Sequence, residues 1–154
     1  MIALSLWQPW ATFVVLGVKR YETRGWYTDH LGEIAIASTK TEPAWVRRLM
    51  ATEPFASILR DHDVRFSALP RGCVLARMAI IGAFPTERLV KKLDEREIAL
   101  GDYSARRWGY PLVRQQVYEQ PIPCKGGQKL WEWTPPEILP VATEVMDLFG
   151  RKVQ

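Results

Sequence analysis

The stretch GCVLARMAIIGAF, residues 72–84, is the strongest β-strand signal in this chain. It is a nearly continuous apolar run that begins at a glycine, which is typical of a strand buried in a sheet. Gly82 interrupts the run close to its end, and a glycine inside a strand pattern commonly marks a bend. The sequence therefore predicts a strand over this stretch with a bend at Gly82.

Further strands are predicted on both sides of this run. Five stretches have strand composition or alternate in polarity: 1–6, 19–24, 32–38, 106–118 and 130–133. Pro111 lies inside the fourth of them and has no backbone N–H to donate. Its presence predicts that this strand lies at an edge of the sheet or contains a bulge.

Helical signals occur between the strands and at the end of the chain. They cover four stretches: 10–16, 42–60, 86–100 and 136–149. Pro9 suits the first turn of the first helix, and Gly17 is a natural stop. Pro54 interrupts the second helix, and the third is highly charged and ends before Gly101.

The order of these elements indicates the fold class. Strands and helices do not alternate regularly, which argues against a doubly wound parallel sheet. Strands from distant parts of the chain, with helices packed outside them, predict an α+β domain built around a small barrel. The chain has 154 residues, of which 47% are hydrophobic and 25% charged. These globular values suit one domain over 1–154.

Several classes of protein are excluded by the sequence. The longest uncharged run, residues 1–18, contains polar residues and has neither the length of a membrane-spanning helix nor the pattern of a secretion signal. We therefore expect a cytoplasmic protein with no membrane partner. Cys73, Cys124, His30 and His62 are not at metal-ligand spacing, so we expect no metal. Glycine-rich phosphate loops are absent, and we expect no cofactor.

The positive charge is concentrated in one segment, residues 103–130. This segment has one acidic residue, Glu119, and five basic residues: Arg106, Arg107, Arg114, Lys125 and Lys129. It therefore carries a net charge of +4, as does the whole chain. Its cations alternate with flat aromatic rings, a pattern that suits single-stranded or looped nucleic acid. A solvated pair of strands whose aromatic rings face the core explains the pattern equally well.

The densest polar cluster is GVKRYETR, residues 17–24. Side chains alternate between the two faces of a strand. The pattern therefore places Arg20, Glu22 and Arg24 on one face and puts Lys19 on the other with Tyr21 and Thr23. If the first face points into a cleft, Glu22 can accept hydrogen bonds from a base edge, and Arg24 can hold phosphate or orient Glu22.

Five blocks of the sequence, in this order, resemble the ASCH family, a branch of the PUA-like superfamily. They are LSLWQPWA at 4–11, GxKxxExR at 17–24, IAIASTK at 34–40, GDYS at 101–104 and PxPxKGxQxLW at 121–131. A lone GxKxxExR is weak evidence, whereas five ordered blocks that span most of the chain are specific. The resemblance is to a stand-alone, prokaryotic-type member.

The resemblance implies a small mixed β-barrel with flanking helices. Its cleft would be lined by the first helix, the 19–24 strand and the late basic segment. Family members are mostly inferred to bind RNA or modified nucleosides, so we expect RNA, a modified nucleoside or single-stranded DNA as the partner. The expected nucleic-acid-binding residues are Trp7, Lys19, Glu22, Arg24, Trp26, Lys40, Arg106, Arg107, Lys125 and Lys129. Trp7 and Trp26 are expected as stacking surfaces.

The resemblance also leaves an enzymatic alternative open. Some small relatives remove the acyl group of N4-acetylcytidine, and others have been proposed as ribonucleases. In the amidohydrolase pattern a nucleophilic threonine follows the lysine by three residues, but here that position holds Glu22. Thr23 is one residue away, and in a strand one residue means the opposite face. Glu22 would have to act as a general base for water, with Lys19 stabilising negative charge.

Three further points are left open by the sequence. The amidohydrolases need another acidic residue, and the nearest group (Asp94, Glu95 and Glu97) reads more simply as the solvated face of a helix. A module that binds a peptide or a protein surface is compatible with the same residues. The sequence does not determine the oligomeric state.

Overall fold

The computed structural model describes residues 1–137. The closing helix predicted over 136–149 lies outside the described residues from position 138 onward.

The central feature is a seven-stranded mixed sheet. Its strands are β1 (Ile2–Leu6), β2 (Tyr21–Arg24), β3 (Gly32–Ser38), β4 (Cys73–Ile80), β5 (Phe84–Pro85), β6 (Trp108–Pro123) and β7 (Leu130–Glu132). The order is β2-β6-β4-β3-β1-β7, with β5 also pairing with β6. Only β1 and β3 are parallel among the described strand pairs.

Short helices flank the sheet. They are α1 (Trp10–Leu16), α2 (Ala44–Leu49), α3 (Phe55–Asp61), α4 (Thr86–Leu89) and α5 (Glu95–Ala99), together with a 3-10 turn at Phe66–Ala68. The break between α2 and α3 falls before Pro54, as predicted. The single helix predicted over 86–100 is wrong, because Asp94 accepts a hydrogen bond from the Glu97 N–H at 2.8 Å and thereby begins a new helix.

The sheet curls around an apolar core and forms a half-barrel. The apolar run at residues 72–84 contains the central strand β4, and seven of the eight residues of β4 are buried. The bend predicted at Gly82 separates β4 from β5. Side chains of β1, β3, β4 and β6 pack with α1 on the concave side of the sheet. The predicted α+β class, with a small mixed barrel-like sheet and flanking helices, is confirmed.

The expectation for Pro111 is met in part, because its strand contains bulges but does not lie at an edge of the sheet. Its strand, β6, lies inside the sheet between β2 and β4, and the bulges in its pairing with β4 lie elsewhere. The N–H of Leu112 donates to Arg20 O at 2.9 Å, so the nitrogen of Pro111 faces away from β2. On that side β4 has already ended at Ile80. The missing N–H therefore removes no bond within β4, and the proline is tolerated.

None of the helices within residues 1–137 is long and apolar enough to cross a membrane.

Candidate nucleobase-binding cavity

A cavity of about 550 Å³ opens between β2, the helices α1, α2 and α3, and the loop that follows α5. Its volume is in the range of pockets that hold a small organic ligand. One end is ionic and the other is aromatic. The lining residues are Ser5, Leu6, Trp7, Trp10, Lys19, Glu22, Thr23, Arg24, Trp45, Leu49, Phe55, Ala99, Leu100, Gly101, Asp102 and Arg107.

The ionic end is built on Glu22, whose carboxylate lies between two cations. Lys19 Nζ is 3.2 Å from Glu22 Oε2, and Arg24 Nε is 3.0 Å from Glu22 Oε1. Lys19 also donates to the backbone oxygen of Tyr21, and Arg24 donates to Ser5 O at 2.9 Å. Lys19 is only 2% exposed. This cluster carries a net positive charge because one carboxylate faces two cations.

The prediction that Lys19 and Glu22 occupy opposite faces is wrong. Strand β2 begins at Tyr21, so Lys19 precedes the strand and does not follow its alternation. The Lys19 backbone N–H instead donates to Phe13 O at 3.1 Å. The long lysine side chain then reaches Glu22 three residues later. Arg20, predicted to share a face with Glu22, turns away and pairs with Asp94 at 3.0 Å.

The rim of the ionic end is formed by Asp102 and Arg107. Arg107 Nε lies 3.3 Å from an Asp102 carboxylate oxygen and donates to the Asp102 backbone oxygen at 3.1 Å. Hydrogen bonds from Ser104 and the charge of Arg107 lower the pKa of Asp102. The Asp102 N–H donates to Thr23 Oγ1 at 3.1 Å, so the loop is attached to β2. Thr23 thus also lines the cavity, although it is adjacent to Glu22 in the strand.

The aromatic end is formed by three tryptophans. Trp7 and Trp45 meet edge to face with centroids 5.9 Å apart, and Trp10 lies 6.3 Å from Trp45. Trp10 is fixed by a hydrogen bond from its Nε1 to Leu100 O at 2.8 Å. Trp7 and Trp45 remain 42% and 44% exposed. Large exposed rings beside a cavity are suited to stacking against a planar ligand.

Half of the expected binding residues lie at this cavity, and half do not. Trp7, Lys19, Glu22, Arg24 and Arg107 line it. Trp26 does not; its ring packs against Tyr110 at 6.1 Å, and the Arg24 guanidinium lies 5.9 Å from its centroid. The side chain of Arg106 is exposed, and its backbone N–H donates to Glu87. Glu87 is an exposed carboxylate whose pKa is lowered by that N–H.

The remaining lysines lie at the end of the sheet where β1 and β3 finish. Lys40 follows β3 and packs over Gly72. Burial raises the pKa of the nearby Cys124 thiol, and the positive charge of Lys40 partly offsets that increase. Lys125 is next to Cys124 in the chain, and Lys129 directly precedes β7, whose first residue, Leu130, is opposite Leu4. All three lysines are exposed. None of the three lysines lines the cavity, although the end of β1 contributes Ser5 and Leu6 to its lining.

Sequence reasoning missed the wall contributed by α2, α3 and the 99–101 segment. Trp45, Leu49 and Phe55 come from a region that reads only as an amphipathic helix. The one available signal was Trp45 itself, a large aromatic ring in a helix that also carries Arg47 and Arg48. Glu97 was also misassigned as solvated. It is 2% exposed, and its carboxylate accepts the N–H groups of Arg20 and Tyr21 at 3.0–3.1 Å.

The lining residues of this cavity include three cations and two carboxylates, together with indole rings. Such a set can accept and donate hydrogen bonds at the edge of a polar heterocycle while stacking on its face. Residues 1–137 contain no group of three or more His, Cys, Asp or Glu side chains that could hold a metal ion.

Comparison with known proteins identifies the family of this chain. The ASCH domain model matches residues 4–135. Activating signal cointegrator 1 from Homo sapiens and that from Mus musculus are each 33% identical over 132 residues, which is 84% of this chain and 22% of theirs. The chain thus spans about a fifth of the length of these relatives.

Solved structures agree at the level of the fold. A mutant of the ASCH protein from Zymomonas mobilis superposes with a TM-score of 0.51 at 16% identity, covering 86% of this chain and 89% of the other. The unmutated protein superposes with a TM-score of 0.49 at 18% identity, covering 88% of this chain and 88% of the other. The family model covers most of the chain in a single match, and the curated relatives match over nearly the same length. This chain belongs to the ASCH domain family.

Proposed function

We propose that this protein binds nucleic acid, with RNA or a modified nucleoside as the preferred ligand, by taking one base into the cavity described above. The observation that carries the proposal is the convergence of Lys19, Glu22 and Arg24 on a cavity whose other end holds exposed indole rings. Membership of the ASCH family supports association with nucleic acid as the broad function. Single-stranded DNA remains a competitor for the same site.

The aromatic end supplies the sequence-independent part of the binding. Every base has a π-face, and stacking on an aromatic side chain is worth about 1–3 kcal/mol per base. Trp7 and Trp45 are each more than two-fifths exposed, so their rings are available without unpacking the core. A base must leave its own stack to reach them, which favours single-stranded or looped nucleic acid.

The ionic end supplies the selective part. Glu22 is 7% exposed; one carboxylate oxygen accepts a hydrogen bond from Lys19, and the other forms an ion pair with Arg24. A carboxylate has about four lone-pair sites, so Glu22 retains capacity to accept from a base amino group. The spare donors of Lys19 and Arg24 suit a carbonyl or ring nitrogen acceptor. A base edge that presents both an acceptor and a donor therefore fits this end.

Exposed cations outside the cavity are proposed to contact the backbone. These cations are Lys40, Arg106, Lys125 and Lys129, all of which are exposed. If three or four phosphates are neutralised on a single strand, the logarithm of the association constant falls with the logarithm of salt concentration with a slope of about −2 to −3.

Fluorescence anisotropy of a labelled single-stranded RNA, titrated at several salt concentrations, tests the proposal. We expect the slope given above and a loss of affinity of about tenfold or more in Glu22→Gln. The matched control is Glu119→Gln, which makes the same change at an exposed position on β6. Binding weaker than millimolar, or binding independent of salt, would contradict the proposal.

A second candidate function is hydrolysis of an acylated nucleoside such as N4-acetylcytidine, or cleavage of RNA. The observation that favours it is the buried contact of 3.2 Å between Lys19 Nζ and Glu22 inside the cavity. Glu22 would take a proton from water, the water oxygen would add to the acyl carbon, and Lys19 would stabilise the resulting oxyanion. Glu22 would then return that proton to N4 as the amide C–N bond breaks, which releases acetate and cytidine.

Incubation with N4-acetylcytidine and with structured RNA, followed by product analysis, tests this candidate. Unchanged substrate in both reactions would dismiss it. Activity that persists in Lys19→Ala and Glu22→Gln would remove these two residues from the mechanism even if turnover is real.

A further inference from the structure

The cations that line the cavity are already engaged within the protein. Lys19 is buried in an ion pair with Glu22. Arg24 forms an ion pair with Glu22 and donates a hydrogen bond to Ser5 O, and Arg107 forms an ion pair with Asp102. The side chains of Arg24 and Arg107 are 26% and 27% exposed. These residues are placed to meet a base edge. The phosphates that flank an inserted base need cations that are exposed and unpaired at the mouth of the cavity.

Helix α2 supplies such a cation. Trp45 and Leu49 line the cavity from this helix, and Val46 is buried in the core. Arg47 and Arg48 are both exposed, and among residues 1–137 no side chain forms an ion pair or hydrogen bond with either guanidinium. Both arginines lie in the last turn of α2 and interact favourably with the helix dipole. The dipole therefore does not distinguish one arginine from the other.

The helical period separates the two arginines. Successive residues of an α-helix are rotated by about 100° around its axis. Because Trp45 and Leu49 both line the cavity, the direction midway between them points to it. Arg48 lies about 80° from that direction, on the side away from Val46, whereas Arg47 lies about 180° from it. By this geometry Arg48, one turn from Trp45, lies beside the face of α2 that lines the cavity, and Arg47 lies on the opposite face.

We infer that Arg48 binds a backbone phosphate next to the base that enters the cavity. The inference rests on the proposed function, which assigns neither Arg48 nor any other part of α2 a role in contacting the backbone. A guanidinium carries a permanent charge and a planar fork of donors, which suits a phosphate. Trp45 and Arg48 together make α2 a recognition helix in which one ring meets the base and one cation meets the phosphate beside it.

The test compares Arg48→Gln with Arg47→Gln, which make the same change in charge at neighbouring positions of one helix. Each variant is titrated with a free nucleoside and with a single-stranded oligonucleotide at several salt concentrations. We expect Arg48→Gln to bind the oligonucleotide about three- to tenfold more weakly, with a salt slope shallower by about 0.7, and to bind the nucleoside as the parent does. Arg47→Gln should match the parent in all of these.

The outcomes are distinguishable. Equal effects of the two substitutions, or a weakened affinity of Arg48→Gln for the nucleoside, would overturn the role of Arg48 while leaving the proposed function in place. Absence of oligonucleotide and nucleoside binding in the parent protein would instead remove the proposed function and this inference with it. Melting temperatures of both variants within a few degrees of the parent would show that α2 is intact.

Discussion

Tyr103 follows the two residues of the cavity loop, Gly101 and Asp102, and is almost fully buried. Its hydroxyl donates to Glu97 Oε1 at 3.4 Å. Burial raises the pKa of Tyr103 strongly, and the negative charge of Glu97 raises it further. Burial also raises the pKa of Tyr110 and of Tyr118. The folded protein therefore keeps these phenolic protons at a pH at which an unfolded chain loses them.

Stability should consequently fall at alkaline pH. Above pH about 10 the unfolded chain releases protons that the native state retains, so the free energy of unfolding decreases by about 1.4 kcal/mol per pH unit for each such tyrosine. We expect Tyr103→Phe to make this decrease shallower in urea unfolding between pH 8 and 11. Tyr27→Phe, at a 58% exposed position, is the control. Equal slopes in the parent and in Tyr103→Phe would contradict the assignment.

At the scale of elements, α5 and β2 are joined by one carboxylate. Glu97 accepts the N–H groups of Arg20 and Tyr21, at the point where β2 begins. A buried carboxylate with several hydrogen bonds fixes its partners far more strongly than a solvated one. The position of β2, and with it the position of Glu22 in the cavity, depends on this attachment.

Glu97→Ala should lower the free energy of unfolding by about 3 kcal/mol, because two partly buried backbone N–H groups would lose their charged acceptor. Amide exchange at Arg20 and Tyr21 should become faster. The control is Glu95→Ala, an exposed position on the same helix, which should cost less than about 0.5 kcal/mol. An unchanged exchange rate at Arg20 and Tyr21 would show that the carboxylate does not hold β2.

At the scale of the whole molecule, the tryptophans divide between the core and the cavity. Trp133 is 7% exposed and packs against Tyr118, and its backbone bonds Met1, so β7 is held against the start of the chain. Trp45 lies at the cavity and is 44% exposed. The same residue type therefore stabilises the fold at one position and faces the cavity at the other.

Substitution of these two rings by alanine should separate stability from binding. We expect Trp133→Ala to lower the free energy of unfolding by about 3–5 kcal/mol. Trp45→Ala should cost less than about 1 kcal/mol of stability but weaken RNA binding by about 1–3 kcal/mol. Urea unfolding and RNA-binding anisotropy, measured on the same preparations, check both expectations. A large loss of stability in Trp45→Ala, or a loss of RNA binding in a folded Trp133→Ala, would contradict this assignment.

The elements themselves could be predicted because their signals are local. The apolar run of β4, Gly17 after α1 and Pro54 before α3 act within a few residues of where they stand. Pro111 could not be interpreted in this way. Whether a missing N–H matters depends on which strand lies beside it, and that strand is set by residues far away in the chain.

The sequence by itself determined the α+β class and most of the elements, and it placed Glu22 and Arg24 on one face of a strand, since periodicity and short spacing act along the chain. Only the tertiary structure decided that Lys19 reaches Glu22, that Trp45 and Arg107 join them, and that Lys40 does not. The physical reason is that contacts between distant segments depend on strand register and on where each strand begins. A shift of one residue in either of these changes which side chains meet.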